Sequence, residues 1–344
     1  MYSPKMYSHP SLAGHTTSKR IFVIAVSSVL LVGCVALSLA VGSSTIPLTQ
    51  VIHYLQHPDA SHESYIINGM RQTRTLIGIL VGLSLAVAGA VMQAITRNPL
   101  ADPGLLGVNS GASLAIVLGA TVGIATSTAS QVLLAFFGAL AASALVYLIG
   151  HTGITAGSPL RLVLAGIAFS TASGGVISAL LIINPQVFDA FRFWDVGALT
   201  RTDVSLWSLV LPTVVGLTLI LFMAPALSSL ALGDDIAISL GTNIALTRTC
   251  SLVALTLLCA TATAAAGPIS FVGLMVPYIA GALIGESRGW IIAACAVMGP
   301  VLVLSADVLG RVIMRPAEMQ VGLLTAFMGS PVLLYLVFTM KGAK

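Results

Sequence analysis

Charge is scarce in this chain, and where it occurs it is gathered into short groups. Arg71 and Arg74 stand three apart in Met70-Arg71-Gln72-Thr73-Arg74-Thr75. Arg97, Asn98, Leu100, Asp102 and two prolines share the segment 97–107. Asp234 and Asp235 follow Gly233, and Asp307 precedes Arg311 by four positions, with Arg315 and Glu318 close behind. These types at these spacings suit ion pairing, helix capping and recognition of a charged partner. No cluster of His, Asp and Glu marks an enzyme centre, and no residue is assigned covalent chemistry. His53 and His57 have the i,i+4 spacing that could hold a metal on a helix. Neither cysteine nor a second carboxylate pair supports them, and with His62 they read as residues of a solvated loop. Cys34, Cys250, Cys259 and Cys295 all fall inside apolar runs without CxxC spacing, so they read as small buried hydrophobes.

The elements that must position these groups are membrane helices. Of 344 residues, 57% are hydrophobic and 8% charged, against about 25% charged in a soluble domain. A net charge of +4 spread over many loops does not make a nucleic-acid surface. A spanning helix needs about 20 predominantly apolar residues. Ten such segments are predicted, at 21–42, 75–95, 108–125, 131–150, 160–183, 204–227, 244–265, 269–284, 290–310 and 321–338. The eighth is short and contains Pro277, so a tilted or broken helix is expected there. The division is a tail over 1–20, one transmembrane domain over 21–339 and a second tail over 340–344. Lys19-Arg20 before an apolar run ending in Leu31-Val32-Gly33-Cys34 imitates a lipoprotein signal, but the run continues to spanning length beyond Cys34.

An even number of spans puts both termini on one side. With the termini inside, nine Lys and Arg are cytoplasmic and six external, a modest positive-inside bias. Arg71, Arg74, Arg192, Arg201, Arg311 and Arg315 are the external six. Insertion does not explain them. Lys5, Lys19, Lys341 and Lys344 are the only lysines, so no P-loop exists and ATP, if used, is hydrolysed by another polypeptide.

Three polar interruptions carry the mechanism. The turn at 97–107 breaks apolar sequence with charge and proline, which lipid does not solvate. Arg71 and Arg74 lie on one face at the start of a predicted helix, where the dipole disfavours cations, so they are snorkelling residues or they meet an acidic partner. Segment 227–243 reads as a short turn, a break at Gly233, and a short helix. Asp234 or Asp235 caps that helix, Ile236, Ala237 and Leu240 form its apolar face, and Gly241 ends it. Its acidic start favours a protein partner over lipid headgroups. Asp307 and Arg311, at i,i+4, can pair within their helix. The spans hold no proton-relay chain. Small-residue runs at 86–90 and 261–267 allow close helix contact and point to two halves of inverted orientation.

RTLIGILVGLSLAVAGAVMQAITRNPLADPGLLGVNSGASLA, from Arg74, resembles the FecCD-type permease family, the membrane subunits of type II ABC importers for iron siderophores, haem and vitamin B12. The resemblance continues through LVLAGIAFS, FWDVGAL, ALGDDIAISLG, GPISFVGLMVPYIA and AEMQVGLLTAFMGSPVLLYL, covering Arg71 to the C-terminus. It implies an all-α, ten-helix permease of a bacterial cell membrane, embedded in lipid with both termini cytoplasmic. Two permease subunits, identical or paralogous, would enclose the path for an iron or cobalt chelate. Two ABC ATPase subunits and an external solute-binding protein would complete the assembly, with no cofactor, resident metal or nucleic acid. By position in the family motifs, Arg71, Arg74 and Arg311 would dock the binding protein. Leu232, Gly233, Asp234, Asp235, Leu240 and Gly241 would couple to the ATPase, and Asn98 and Leu100 would form a cytoplasmic gate. The chain departs from the pattern in lacking proline before Arg74 and before Val321, and in carrying Asp195 after the tryptophan. The other function class is an ion-coupled secondary transporter of a small organic solute, which would need midplane ion ligands that the sequence does not display.

Overall fold

Each long apolar run folds into a helix, because within a bilayer only hydrogen bonds inside the segment can satisfy its backbone. The computed structural model describes residues 17–42, 45–150, 152, 159–201, 204–285 and 287–341. In order they form α1 (Thr17–Ala40), α2 (Leu48–Gln56), α3 (His62–Tyr65), a π-helical turn (Ile66–Arg71) and α4 (Gln72–Thr96). A 3-10 turn (Pro103–Leu106) leads to α5 (Val108–Thr121), α6 (Thr128–Gly150), α7 (Pro159–Ile183) and α8 (Pro185–Asp195). Then come α9 (Leu206–Ala231), α10 (Asp234–Ser239), α11 (Ile244–Ala266), α12 (Val272–Ile284), α13 (Arg288–Ile313) and α14 (Val321–Lys341). Most of the expected tails 1–20 and 340–344 lies outside the described residues; Lys19 and Arg20 belong to the first turn of α1.

All ten predicted spans are helices, but not ten equal ones. Among the described residues, seven are long and apolar enough to cross a membrane: α1, the continuous helix His62–Thr96, α6, α7, α9, α11 and α13. Val108–Thr121 and Val272–Ile284 are shorter, and α14 runs for 21 residues, Val321–Lys341. Thirteen residues of α12 rise only about 20 Å, less than the roughly 30 Å hydrocarbon core. Irregular backbone at Pro103–Leu106 and at 268–271 extends α5 and α12; Pro103, Leu106 and Ile269 within it are buried, while Ser270 is exposed.

α4 lies at the centre, buried on nearly every face, and α11 packs against it as the second buried rod. The small-residue runs explain the close approach. A Cβ at Gly82 would stand 2.6 Å from the Gly299 carbonyl oxygen of α13, and one at Gly89 would overlap the Gly273 carbonyl of α12. Each rod is followed by a proline-containing link and a short apolar helix, α5 after α4 and α12 after α11. That repeated order, in spans that cross in opposite directions, is the pattern of inverted halves.

Candidate functional site

The polar groups collect at the two ends of α4. At its N-terminal end the helix does not begin at Gln72: it continues back through the π turn to His62. Arg71 and Arg74 are therefore not at a helix N-terminus, and the expected dipole cost is absent. Their acidic and carbonyl partners are within the chain. Arg74 clasps Asp307 of α13 through Nε, at 3.2 and 3.1 Å to the two carboxylate oxygens, and through Nη2 at 2.7 Å. Its Nη1 donates to Glu318 at 2.6 Å. Arg311 pairs with the other side of Asp307 one turn away, as its spacing allows.

Other guanidinium hydrogens of Arg311 and Arg71 close the end of α1. Arg311 Nη1 donates to the carbonyls of Ser38 at 2.8 Å and Val41 at 3.0 Å. Arg71 Nη1 donates to those of Leu39 at 2.9 Å and Ala40 at 3.0 Å. A helix leaves its last carbonyls without partners and concentrates negative potential there; two arginines from other helices supply both donors and charge. Arg311 and Asp307 side chains are each 1% exposed, and Arg71 is buried. Of the three arginines expected to dock a partner, Arg71 and Arg311 turn inward in this chain, Arg311 making the i,i+4 pair its spacing allows, and Arg74, with Glu318, edges a cavity of about 160 Å³ that Phe193 and Gln320 also line.

At its other end α4 stops at Arg97, which adopts left-handed geometry (φ 50°). For a residue with a Cβ this costs roughly 1–2 kcal/mol, and glycine is the usual occupant. Arg97 is held there by its side chain. Nε donates to the Leu230 carbonyl near the end of α9 at 3.0 Å, and Nη2 pairs with Asp234. Arg248 of α11 donates to the same carboxylate at 3.1 and 3.0 Å. Asp234 is therefore not the expected cap or a free docking charge: it is the first residue of α10 and a joint between α4, α10 and α11. Residues 227–231 likewise belong to the long α9, not to a separate turn. Gly233 (φ 123°) and Gly241 (φ 79°) bracket α10 as expected. Ala237 is buried, while Leu232, Asp235, Ile236, Ile238 and Leu240 are exposed.

Between Arg97 and α5, side chains shape the turn. Asn98 Oδ1 accepts from the Leu100 amide at 3.0 Å and Asp102 Oδ1 from the Gly104 amide at 2.8 Å. Burial pushes the Asp102 carboxyl above the ordinary value, and the Gly104 N–H offsets only part of that. Asn98 is exposed and Leu100 half-buried, so the turn presents both to the space beside the bundle. Sequence reasoning missed Arg97 and Arg248 as partners of Asp234. The signal available was a bulky cation at the helix stop before Asn98-Pro99, where glycine would be cheaper. His53 lies in α2 and not in the expected loop, and it stacks at 5.4 Å on His57 just past the end of that helix; among the described residues no three metal-capable side chains come together.

A family model described as the FecCD transport family matches residues 30–339. The ferric enterobactin transport system permease protein FepD of Escherichia coli is 42% identical over 327 residues, covering 95% of this chain and 98% of that protein. The Fe(3+)-citrate import system permease protein YfmD of Bacillus subtilis is 39% identical, covering 94% and 96%. The hemin transport system permease protein HmuU of Yersinia pestis is 37% identical over 79% of this chain and 83% of its own. A solved structure described as a metal-chelate type ABC transporter in an inward-facing conformation superposes with a TM-score of 0.79 at 25% identity, covering 93% of this chain and 99% of that one. A ten-helix bundle with these motifs in this order has one assignment: the chain belongs to the FecCD transport family, and it is a membrane-spanning permease subunit of an ABC importer, which works with a partner permease and leaves ATP hydrolysis to a separate ATPase subunit.

Proposed function

We propose that this permease carries a ferric siderophore or a closely related iron chelate. The observation that carries this is the end-to-end similarity to the ferric enterobactin permease, 42% over nearly the whole of both chains. The path lies between two permease subunits, beside α7. Thr171, Gly175 and Ser178 form an exposed stripe of small and polar residues on that otherwise apolar helix, and nothing stands within 4 Å of a Cβ at Gly175. Such a stripe is better matched to a hydrated path or a second protein than to lipid tails.

Both termini face the cytoplasm, with Arg97, Arg161, Arg248 and Arg288 on that side, in keeping with the positive-inside bias. The Arg97 end then meets the ATPase and the Arg74 end meets the external binding protein. On the ATPase side Leu232, Ile236, Ile238 and Leu240 offer an apolar surface, with Gly233 and Gly241 setting its angle and Asp235 its exposed charge. Asn98 and Leu100 stand at the exit as the gate. On the outer side Arg74 and Glu318 form the rim where the binding protein docks, and Arg71 and Arg311 hold the platform beneath. The remaining surface faces lipid.

The experiment is uptake into proteoliposomes containing this chain, its partner permease, the ATPase and the binding protein. The cargo panel is radioiron-labelled enterobactin, a hydroxamate siderophore, citrate and hemin. Uptake of one ferric siderophore that requires ATP is expected. Uptake driven by an ion gradient without ATP would overturn the reading in favour of a secondary transporter. Replacing Ile236 and Leu240 by serine is expected to release the ATPase on purification.

A further inference from the structure

A segment that docks a motor must be fastened to whatever the motor moves. α10 is joined to α9 and α11 through Gly233 and Gly241, both at positive φ, and a Cβ at either would meet nothing within 4 Å. Neither glycine is packed against a side chain, and their amides bond only locally, to the Leu230 and Ile238 carbonyls. What fastens its N-terminal end to the bundle is the Asp234 carboxylate, gripped by Arg97 from the turn after α4 and by Arg248 from α11. Arg97 immediately precedes Asn98, and its left-handed backbone sets the direction in which the turn leaves α4. Its Nε also holds the Leu230 carbonyl at the end of α9. One residue thus joins the end of α9 and the start of α10, through its guanidinium, to the start of the turn, through its own backbone.

We propose that Arg97 and Asp234 are positioning residues that carry displacement of α10 to the Asn98–Leu100 turn, so that the nucleotide state of the ATPase sets the gate. The proposal rests on the reading of α10 as the ATPase contact and of Asn98 and Leu100 as the gate. The ion pair is half-exposed, 39% for Arg97 and 41% for Asp234, which suits a link that shifts and re-forms without a large desolvation penalty. A plain helix stop makes a different prediction. Glycine takes left-handed geometry without strain, so Arg97→Gly preserves or improves a stop while removing the link.

The test uses the assembled transporter carrying Asn98→Cys as reporter, with maleimide labelling at that position measured without nucleotide and with ATP plus vanadate. Nucleotide is expected to change the labelling rate about tenfold in the parent, by analogy with couplings of 5–150-fold between linked sites. In Arg97→Gly, and separately in Asp234→Asn, the change is expected to fall below twofold while the ATPase still co-purifies and hydrolyses ATP. The double variant should be no worse than either single one, as for two members of one link. An unchanged nucleotide response in Arg97→Gly overturns the relay. So does loss of the ATPase from that variant, because Arg97 would then belong to the docking surface itself. A parent without a nucleotide response removes the gate reading and the relay with it. Retention of the ATPase by the variant with Ile236→Ser and Leu240→Ser removes the docking reading alone, whatever Arg97→Gly does.

Discussion

Both ends of α4 hold an aspartate between two arginines, yet the two joints differ in surroundings. At the Arg74 end the Asp307 side chain is 1% exposed, and one of its two arginines, Arg311, joins Arg71 in sealing the C-terminus of α1. At the Arg97 end the Asp234 side chain is 41% exposed and sits on a six-residue helix between two glycines. The same residue types therefore do different work. A buried charge that loses its partner keeps its desolvation penalty without its compensation, so the first joint is a staple that must not open. A half-solvated pair is screened and contributes little to stability, so the second can open and close at small cost. The difference teaches that Arg71 and Arg311, unexplained by insertion, are internal donors to the end of a helix first.

The comparison breaks most readily at the staple. Arg311→Met is expected to destabilise the detergent-solubilised protein by about 3–5 kcal/mol, read as lost folded yield and a lower thermal midpoint. An effect under about 1 kcal/mol would mean that this pair is no staple. Next in size is the rod between the joints. Gly89→Val puts a side chain into the Gly273 backbone, and a loss of about 1–3 kcal/mol is expected from overpacking; full retention of the thermal midpoint would show that α4 and α12 can separate. Asp234→Asn should cost less than about 1 kcal/mol and make stability less sensitive to salt. A cost as large as that of Arg311→Met would erase the contrast between the ends.

The smallest effect is at Asp102. Because burial raises its native pKa above 3.8, the native state binds more protons than the unfolded state over the interval above that value. Stability therefore falls as pH rises through this interval and levels off above the native pKa. Asp102→Asn keeps an acceptor for the Gly104 amide and should flatten that slope in thermal unfolding measured at stepped pH. An identical slope would assign it to another group.

Much of this was legible beforehand for a physical reason. Spanning length and hydropathy are local properties of about twenty residues, so the ten apolar segments appear in order, and Gly233 and Gly241 mark the limits of α10 by their own backbone freedom. What was not legible depends on partners far away in sequence. Arg71 meets carbonyls 31 and 32 residues earlier, Arg74 meets Asp307 across 233 positions, and Arg97 meets Asp234 across 137. An arginine beside a membrane helix looks the same in sequence whether it snorkels, docks a partner or seals another helix.

By itself, then, the sequence determined a multi-pass helical permease, the ten apolar segments that become its helices, and the family to which its motifs belong. Bilayer solvation acts on each segment separately, which is why these could be read one segment at a time. Only the tertiary structure decided which way the charges face. The end of α1 arrives beside α4 and α13 through packing, and its unsatisfied carbonyls then draw Arg71 and Arg311 inward. At the opposite end α10 comes to rest against the stop of α4 and makes Asp234 a joint.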